Sequence, residues 1–286
     1  MSTFAAVASS DCSTVSTYDP GRRSVSTRWR PLRSTSARLA RSLAMRRPPW
    51  GASVLNEVHV SVPKGSSRSE RRGIVAHRAT TDQNPRLHRG LLVSDPTRVF
   101  LELAASRKEL VDLVALGDSL VRRKRTTPYD LVEAAEGYGG KGSRLARRAA
   151  SYVRSGVDSP AESRLRMLIV LGGLPEPKAN HILRDRNGEW SRRLDLSYPE
   201  IKLIIEYDGR HHADVRANWL SDIERREALE RDGWRFVIVT AEGLYEAPLE
   251  TLRRVRLALT ERGGRVRSRR IPAEWHRLFT DRPTAA

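Results

Sequence analysis

Residues 192–209 read RRLDLSYPEIKLIIEYDG. Leu194, Leu196 and Tyr198 alternate with polar residues as one face of a strand. After a short break, Ile201, Leu203, Ile205 and Tyr207 do the same, leaving Lys202, Ile204, Glu206 and Asp208 on the reverse. With the turn centred on Glu200 and Ile201, positions whose numbers sum to 401 lie opposite one another, which sets Asp195 against Glu206. A hairpin of this kind needs flanking elements to cover its apolar face.

Those elements are legible on both sides. A helix is expected from Pro160 to about Leu171, then strands near His181–Arg184 and from about Arg192 to Tyr198. After the strand Leu203–Asp208 come a long helix from about Val215 to Asp232, a strand Arg235–Thr240 and a helix from about Pro248 to Thr260. The order α-β-β-β-α-β-α predicts an α/β domain over residues 159–262, with a central mixed sheet flanked by helices. Upstream, residues 51–153 are expected to be basic and mostly helical: EVHVSV at 57–62 reads as a half-buried strand, and the helical period takes over from Asp95. Asp95–Pro96 and Thr127–Pro128 both carry the signature of a helix start, a capping residue followed by proline at the first helical position. Residues 1–50, rich in Ser, Thr, Arg and Pro without a sustained period, are expected to be disordered, and 263–286 to be a basic tail.

The 286 residues carry 52 Lys plus Arg against 34 Asp plus Glu, a net charge of +18. That balance points to a polyanionic partner, because cations that neutralise phosphates release condensed counterions. The excess is uneven: +7 in 1–50, +7 in 51–150, none in 151–260 and +4 in 261–286. Cys12 is the lone cysteine, which excludes a disulfide framework and a cysteine-based zinc or iron–sulfur site. No apolar run is long enough to span a bilayer, so a cytoplasmic protein without a membrane partner is expected.

Opposed like charges destabilise a strand pair by up to about 1 kcal/mol. Asp195 facing Glu206 therefore calls for a cation. Two carboxylates on a rigid hairpin offer oxygen-only ligation suited to Mg²⁺ or Mn²⁺; a neighbouring Arg193 could instead bridge them. Glu162 closes a capping box with Ser159 and could also pair with Arg166, yet it sits beside the apolar stripe of its helix and leans toward the sheet. Past the hairpin, DGRHH brings His211 and His212 within reach of the carboxylates, and a histidine there could act as a general base or orient water. Asp222 and Arg225 stand three residues apart on the next helix, as a simple helix pair also would.

The segment 159–260 resembles the actinobacterial domain-of-unknown-function 559 proteins, related to very-short-patch-repair endonucleases of the restriction-endonuclease-like, PD-(D/E)XK superfamily. SPAES at 159–163, the Asp195 strand, EYDG at 206–209, His212, the D-x-x-R helix of Asp222 and Arg225, and GW at 233–234 occur in that order. The resemblance implies that Asp195 and Glu206 bind the metal, with Glu162 as the helix carboxylate, and that Asp208, His212, Asp222 and Arg225 support the site. The lysine that the superfamily carries two residues after its glutamate is Asp208 here, so the charge that polarises water falls to His212, Arg225, Lys202 or Arg210. More weakly, the segment around HRATTDQN and LVALGDSLVRR is similar to the middle part of abortive-infection antitoxin-type proteins.

The expectation is a Mg²⁺-dependent (or Mn²⁺-dependent) DNA endonuclease, RNA not being excluded, with Glu162, Asp195, Glu206 and His212 at the reaction centre. Arg122, Arg123, Lys124 and Arg125, with Arg144, Arg147 and Arg148, would contact phosphates, or form solvated helix faces. The alternative is a non-catalytic, DNA-binding, antitoxin-like regulator on the same fold.

Overall fold

A computed structural model describes residues 7–8, 14–16, 26–28, 40–41, 58–62, 74–78, 85–88, 91–106, 109–184, 190–209, 224, 226–266 and 270–280. The chain forms two compact units, Met1–Asp95 and Pro96–Ala286.

In the first unit, β1 (Val7–Ala8), β2 (Thr14–Ser16) and β3 (Ser26–Arg28) form a three-stranded sheet. A five-stranded sheet is ordered β6-β5-β4-β8-β7, from β4 (Ala40–Arg41), β5 (Val58–Val62), β6 (Ile74–Arg78), β7 (Arg86–His88) and β8 (Leu91–Val93). The expected disorder of 1–50 otherwise falls outside the described residues. The strand foreseen at 57–62 is present, but Val60, Ser61 and Val62 are all buried rather than alternately so. β5 lies between β4 and β6, and an interior strand loses its solvent face. Residues 58–93 thus carry strands in the stretch expected to be mostly helical.

The second unit is α/β. It begins with α1 (Pro96–Ala105), α2 (Leu110–Arg122), α3 (Pro128–Glu136) and α4 (Ser143–Tyr152), followed by α5 (Pro160–Leu171). Proline sits in the first turn of α3 and α5, where its missing N–H costs nothing, and Thr127 and Ser159 accept the amides of Asp130 and Glu162. The sheet is ordered β12-β11-β10-β9, from β9 (Lys178–Arg184), β10 (Trp190–Tyr198), β11 (Leu203–Asp208) and β12 (Arg235–Thr240). It is mixed: β9, β10 and β11 pair antiparallel, β11 and β12 parallel. Leu196 lies opposite Ile205, Ser197 opposite Ile204 and Tyr198 opposite Leu203, so every pair sums to 401 as foreseen. A single 3-10 turn over Pro199–Ile201 and a left-handed Lys202, φ 52°, close the hairpin. The crossover to β12 is helical at 226–231, and its earlier part lies outside the described residues. The unit ends with α6 (Ala241–Tyr245), α7 (Pro248–Glu261) and α8 (Ala273–Phe279).

One hydrophobic core runs from Phe100 to Phe279, taking in α1 to α5, one face of the sheet, α7 and α8. The helices over 96–153 therefore do not form a unit apart from residues 159–262. A buried ion pair explains why: Arg166 of α5, fully buried, donates to Asp118 of α2 at 2.9 Å. Asp118 also accepts from the Arg154 amide at 2.8 Å and the Ser163 hydroxyl at 2.7 Å. The expected tail over 263–286 instead contains α8. Trp275, Leu278 and Phe279 recur at helical spacing and are buried, and the Trp275 indole N–H donates to the Leu168 carbonyl at 2.8 Å.

Candidate functional site

β10 and β11 are regular from Tyr198 back to Leu196, and there their ladder stops. One residue further, an Asp195 carboxylate oxygen accepts the Tyr207 amide at 3.1 Å, taking the place of a main-chain carbonyl. Alternation would keep Leu194 and Leu196 on one face, yet Leu196 belongs to the main core while Leu194 packs with Ile204 and Trp234 in a second cluster. β10 therefore changes faces at Asp195. On the other side, β9 brings Asn180 opposite Asp195 in register, and Asn180 is left-handed, φ 49°. The two ladders are distorted at the same level, which is where an acidic side chain can leave the regular pleat.

Glu162 approaches from α5. It is 8 % exposed, and burial raises its carboxyl pKa above the ordinary value, with the charges of Asp195 and Asp158 pushing the same way. Hydrogen bonds from the Asp158 amide, 3.0 Å to a Glu162 carboxylate oxygen, and from Ser159 oppose that shift. The capping box foreseen at Ser159 is thus only half made. Ser159 caps the Glu162 amide at 3.1 Å, but the carboxylate bonds the amide of Asp158 rather than that of Ser159. Arg166, the other partner considered for Glu162, is committed to Asp118 and Glu176, and Arg193 pairs with Asp158.

Glu162 on α5 thus feels the charge of Asp195 on β10, and continuing the observed register by one pair beyond Leu196 and Ile205 would set Glu206 opposite Asp195. Asp195, Glu206 and Asp208 each have interaction partners in the fold. Asp208 ends β11 and raises the pKa of half-buried Tyr207, after burial itself. Lys202 lies at the opposite end of the strand. Four residues separate it from Glu206, roughly 13 Å of extended chain, and its ammonium donates to the Asp232 carbonyl at 2.8 Å. Arg210, His212, Asp222 and Arg225 lie outside the described residues.

Asn180 carries chemistry that the sequence did not single out. Its side-chain amide nitrogen is buried and has no hydrogen-bond partner among the described residues. A left-handed non-glycine residue is a stored strain of order 1–3 kcal/mol that tends to occur at functional sites. Only the register to Asp195 points to it, and Asn in the middle of a strand pattern is the one local signal.

No group of three or more His, Cys, Asp and Glu side chains with metal-holding geometry exists among the described residues. The donor set still fits Mg²⁺ or Mn²⁺, since these ions commonly take one or two protein carboxylates and complete their shells with water and phosphate. Glu162, Asp195 and Glu206 supply oxygen alone.

The cations divide into two sets. Arg148 holds Glu274 through both guanidinium nitrogens, and Arg147 donates to the Ala135 and Tyr138 carbonyls at the end of α3. Both serve the fold. Arg122, Arg123, Lys124, Arg125 and Arg144 are exposed, with no ion pair or side-chain hydrogen bond among the described residues. No described helix is long and apolar enough to cross a membrane.

The chain is similar to two uncharacterized proteins from two strains of Mycobacterium tuberculosis, 26 % identical over 178 residues, or 62 % of this chain. It spans 64 % of the length of these curated relatives. Neither a family model nor a solved structure matches the chain.

Proposed function

We propose that the protein is a divalent-metal-dependent endonuclease that hydrolyses phosphodiester bonds in DNA. The observation that carries this reading is the convergence of Glu162, buried on α5, with Asp195 at the point where the β10–β11 ladder opens beside Glu206. A fold optimised for stability alone would not press acids together against burial and mutual repulsion. Asp195 and Glu206, with Glu162, would hold Mg²⁺ or Mn²⁺, and such an ion supplies charge neutralisation and an acidified water at a phosphodiester. Asp195 is held in place by the Tyr207 amide, and Glu162 by the Asp158 amide. His212 is the residue proposed to orient or deprotonate water. The test is cleavage of mixed single- and double-stranded DNA with Mg²⁺ or Mn²⁺ by the wild type, Asp195→Ala and Glu206→Ala. Cleavage abolished in both variants supports the proposal; no cleavage by the wild type, or undiminished cleavage by the variants, overturns it.

The second reading is a DNA-binding regulator without turnover. The separation of the unpaired cations from the acids in sequence favours it. A melting temperature that rises with Mn²⁺ in the wild type but not in Asp195→Ala decides for the nuclease.

A further inference from the structure

Most described arginines and lysines of this protein are engaged with acids, carbonyls or rings, whereas Arg122, Arg123, Lys124 and Arg125 stand contiguous, exposed and unpartnered among the described residues. They form the corner where α2 ends and α3 begins. Lys124 adopts the left-handed conformation, φ 54°, to make that corner. Two residues after the cluster's Thr126–Thr127 link, Tyr129 stands 73 % exposed, in a chain where Tyr198 and Trp275 are buried. An aromatic ring exposed to that degree in the first turn of a helix contributes little to folding. Asp130, the nearest acid, is turned back into the cap, its carboxylate accepting the Thr127 amide at 3.0 Å.

The corner is tied to the carboxylate site by one side chain. Asp118 accepts from Ser163, the neighbour of Glu162, and from the Arg154 amide in the segment leading to Asp158. Arg122 lies one helical turn beyond Asp118, about 6 Å along the axis.

We propose that the α2–α3 corner binds single-stranded nucleic acid, with Arg122, Arg123, Lys124 and Arg125 on the phosphates and the Tyr129 ring stacked on an unpaired base. Cations alone would serve a duplex backbone equally well; the exposed ring is what selects bases that are not already stacked in a helix. Glu133, one turn after Tyr129, is exposed and would repel a phosphate, so the backbone runs on the α2 side of the ring. This inference rests on the nucleic-acid reading above and extends it to the form of the strand.

The test is fluorescence anisotropy of the full chain carrying Asp195→Ala, in EDTA, with labelled oligo-dT of about 20 nucleotides and a duplex of equal length. Binding in EDTA is independent of cleavage, so a protein that binds but never cuts defeats the nuclease and leaves this inference standing. Adding Tyr129→Ala should weaken oligo-dT binding about ten-fold, and Tyr129→Trp should restore it, with duplex affinity unchanged. Arg123→Ala should weaken both and flatten the salt dependence by about one phosphate contact. Unaltered oligo-dT affinity in Tyr129→Ala, or an equal loss on duplex, overturns the proposal. A protein that cleaves DNA with the Tyr129→Ala affinity unaltered defeats this inference and leaves the nuclease standing.

Discussion

Replacing Asp118 by alanine tests the buried pair that joins the helical half of the second unit to α5. Asp118 is 2 % exposed and receives three donors: the Arg154 amide, the Ser163 hydroxyl and the Arg166 guanidinium, at 2.7–2.9 Å. Truncation leaves fully buried Arg166 with Glu176 at 2.9 Å, itself one-third exposed, and the Tyr152 carbonyl at 2.8 Å. Removing one partner of a buried pair costs about 3–5 kcal/mol, and each orphaned donor about 1–3 kcal/mol. These losses share one site and do not add, so the expected destabilisation is about 4 kcal/mol. At roughly 2–4 °C per kcal/mol for a unit of this size, the melting temperature should fall by about 8–16 °C. Adding Arg166→Met, which removes the stranded charge, should recover about 2 kcal/mol. Urea unfolding of the wild type, both single variants and the double variant measures this cycle. A loss below about 1 kcal/mol in Asp118→Ala, or a double variant as unstable as the sum of its parts, would refute the assignment.

Three further outcomes follow from named contacts. Burial raises the folded-state pKa of Glu162, so the native state binds more protons than the unfolded state just above the ordinary glutamate range, and this group's contribution to stability falls as pH rises through that range. Glu162→Gln should then be more stable than the wild type at pH 7 in EDTA, with the difference vanishing below the ordinary value of 4.5; melting curves across pH give the sign. Gly142 and Gly173 both have positive φ, but a Cβ at Gly142 would meet the Ala104 backbone at 2.6 Å while Gly173 faces open space. Gly142→Ala should therefore cost more than Gly173→Ala in parallel denaturation curves. Trp275→Ala should cost about 3–5 kcal/mol and expose the C-terminal segment to limited proteolysis, whereas a free tail would show no change in melting temperature.

The hairpin was legible because two apolar alternations and a Pro–Glu–Ile break leave one register, the one observed. Helix starts at Thr127 and Ser159 were equally local, since a cap and its proline lie within two residues. β6, β7 and β8 gave no such signal: strands of three to five residues draw their burial from neighbours rather than from their own pattern. α8 is hard to read locally because arginine-rich surroundings mask its helical triplet of buried residues, Trp275, Leu278 and Phe279. Among the candidate site residues, sequence placed Asp195 beside Glu206 but left Glu162 undecided, and it could not distinguish Arg148, held by Glu274, from Arg144, which has no partner among the described residues.

By itself the sequence determined the α/β order, the register of the central hairpin and the acids that stand on it, because periodicity and turn chemistry act over a few residues. Tertiary structure alone decided that Glu162 comes under the charge of Asp195, that β10 changes faces there opposite a left-handed Asn180, and that Asp118 fastens α2 to α5. These depend on burial and on contacts across 15 to 48 residues of chain, where the local pattern leaves many pairings equal and only the packed core selects one.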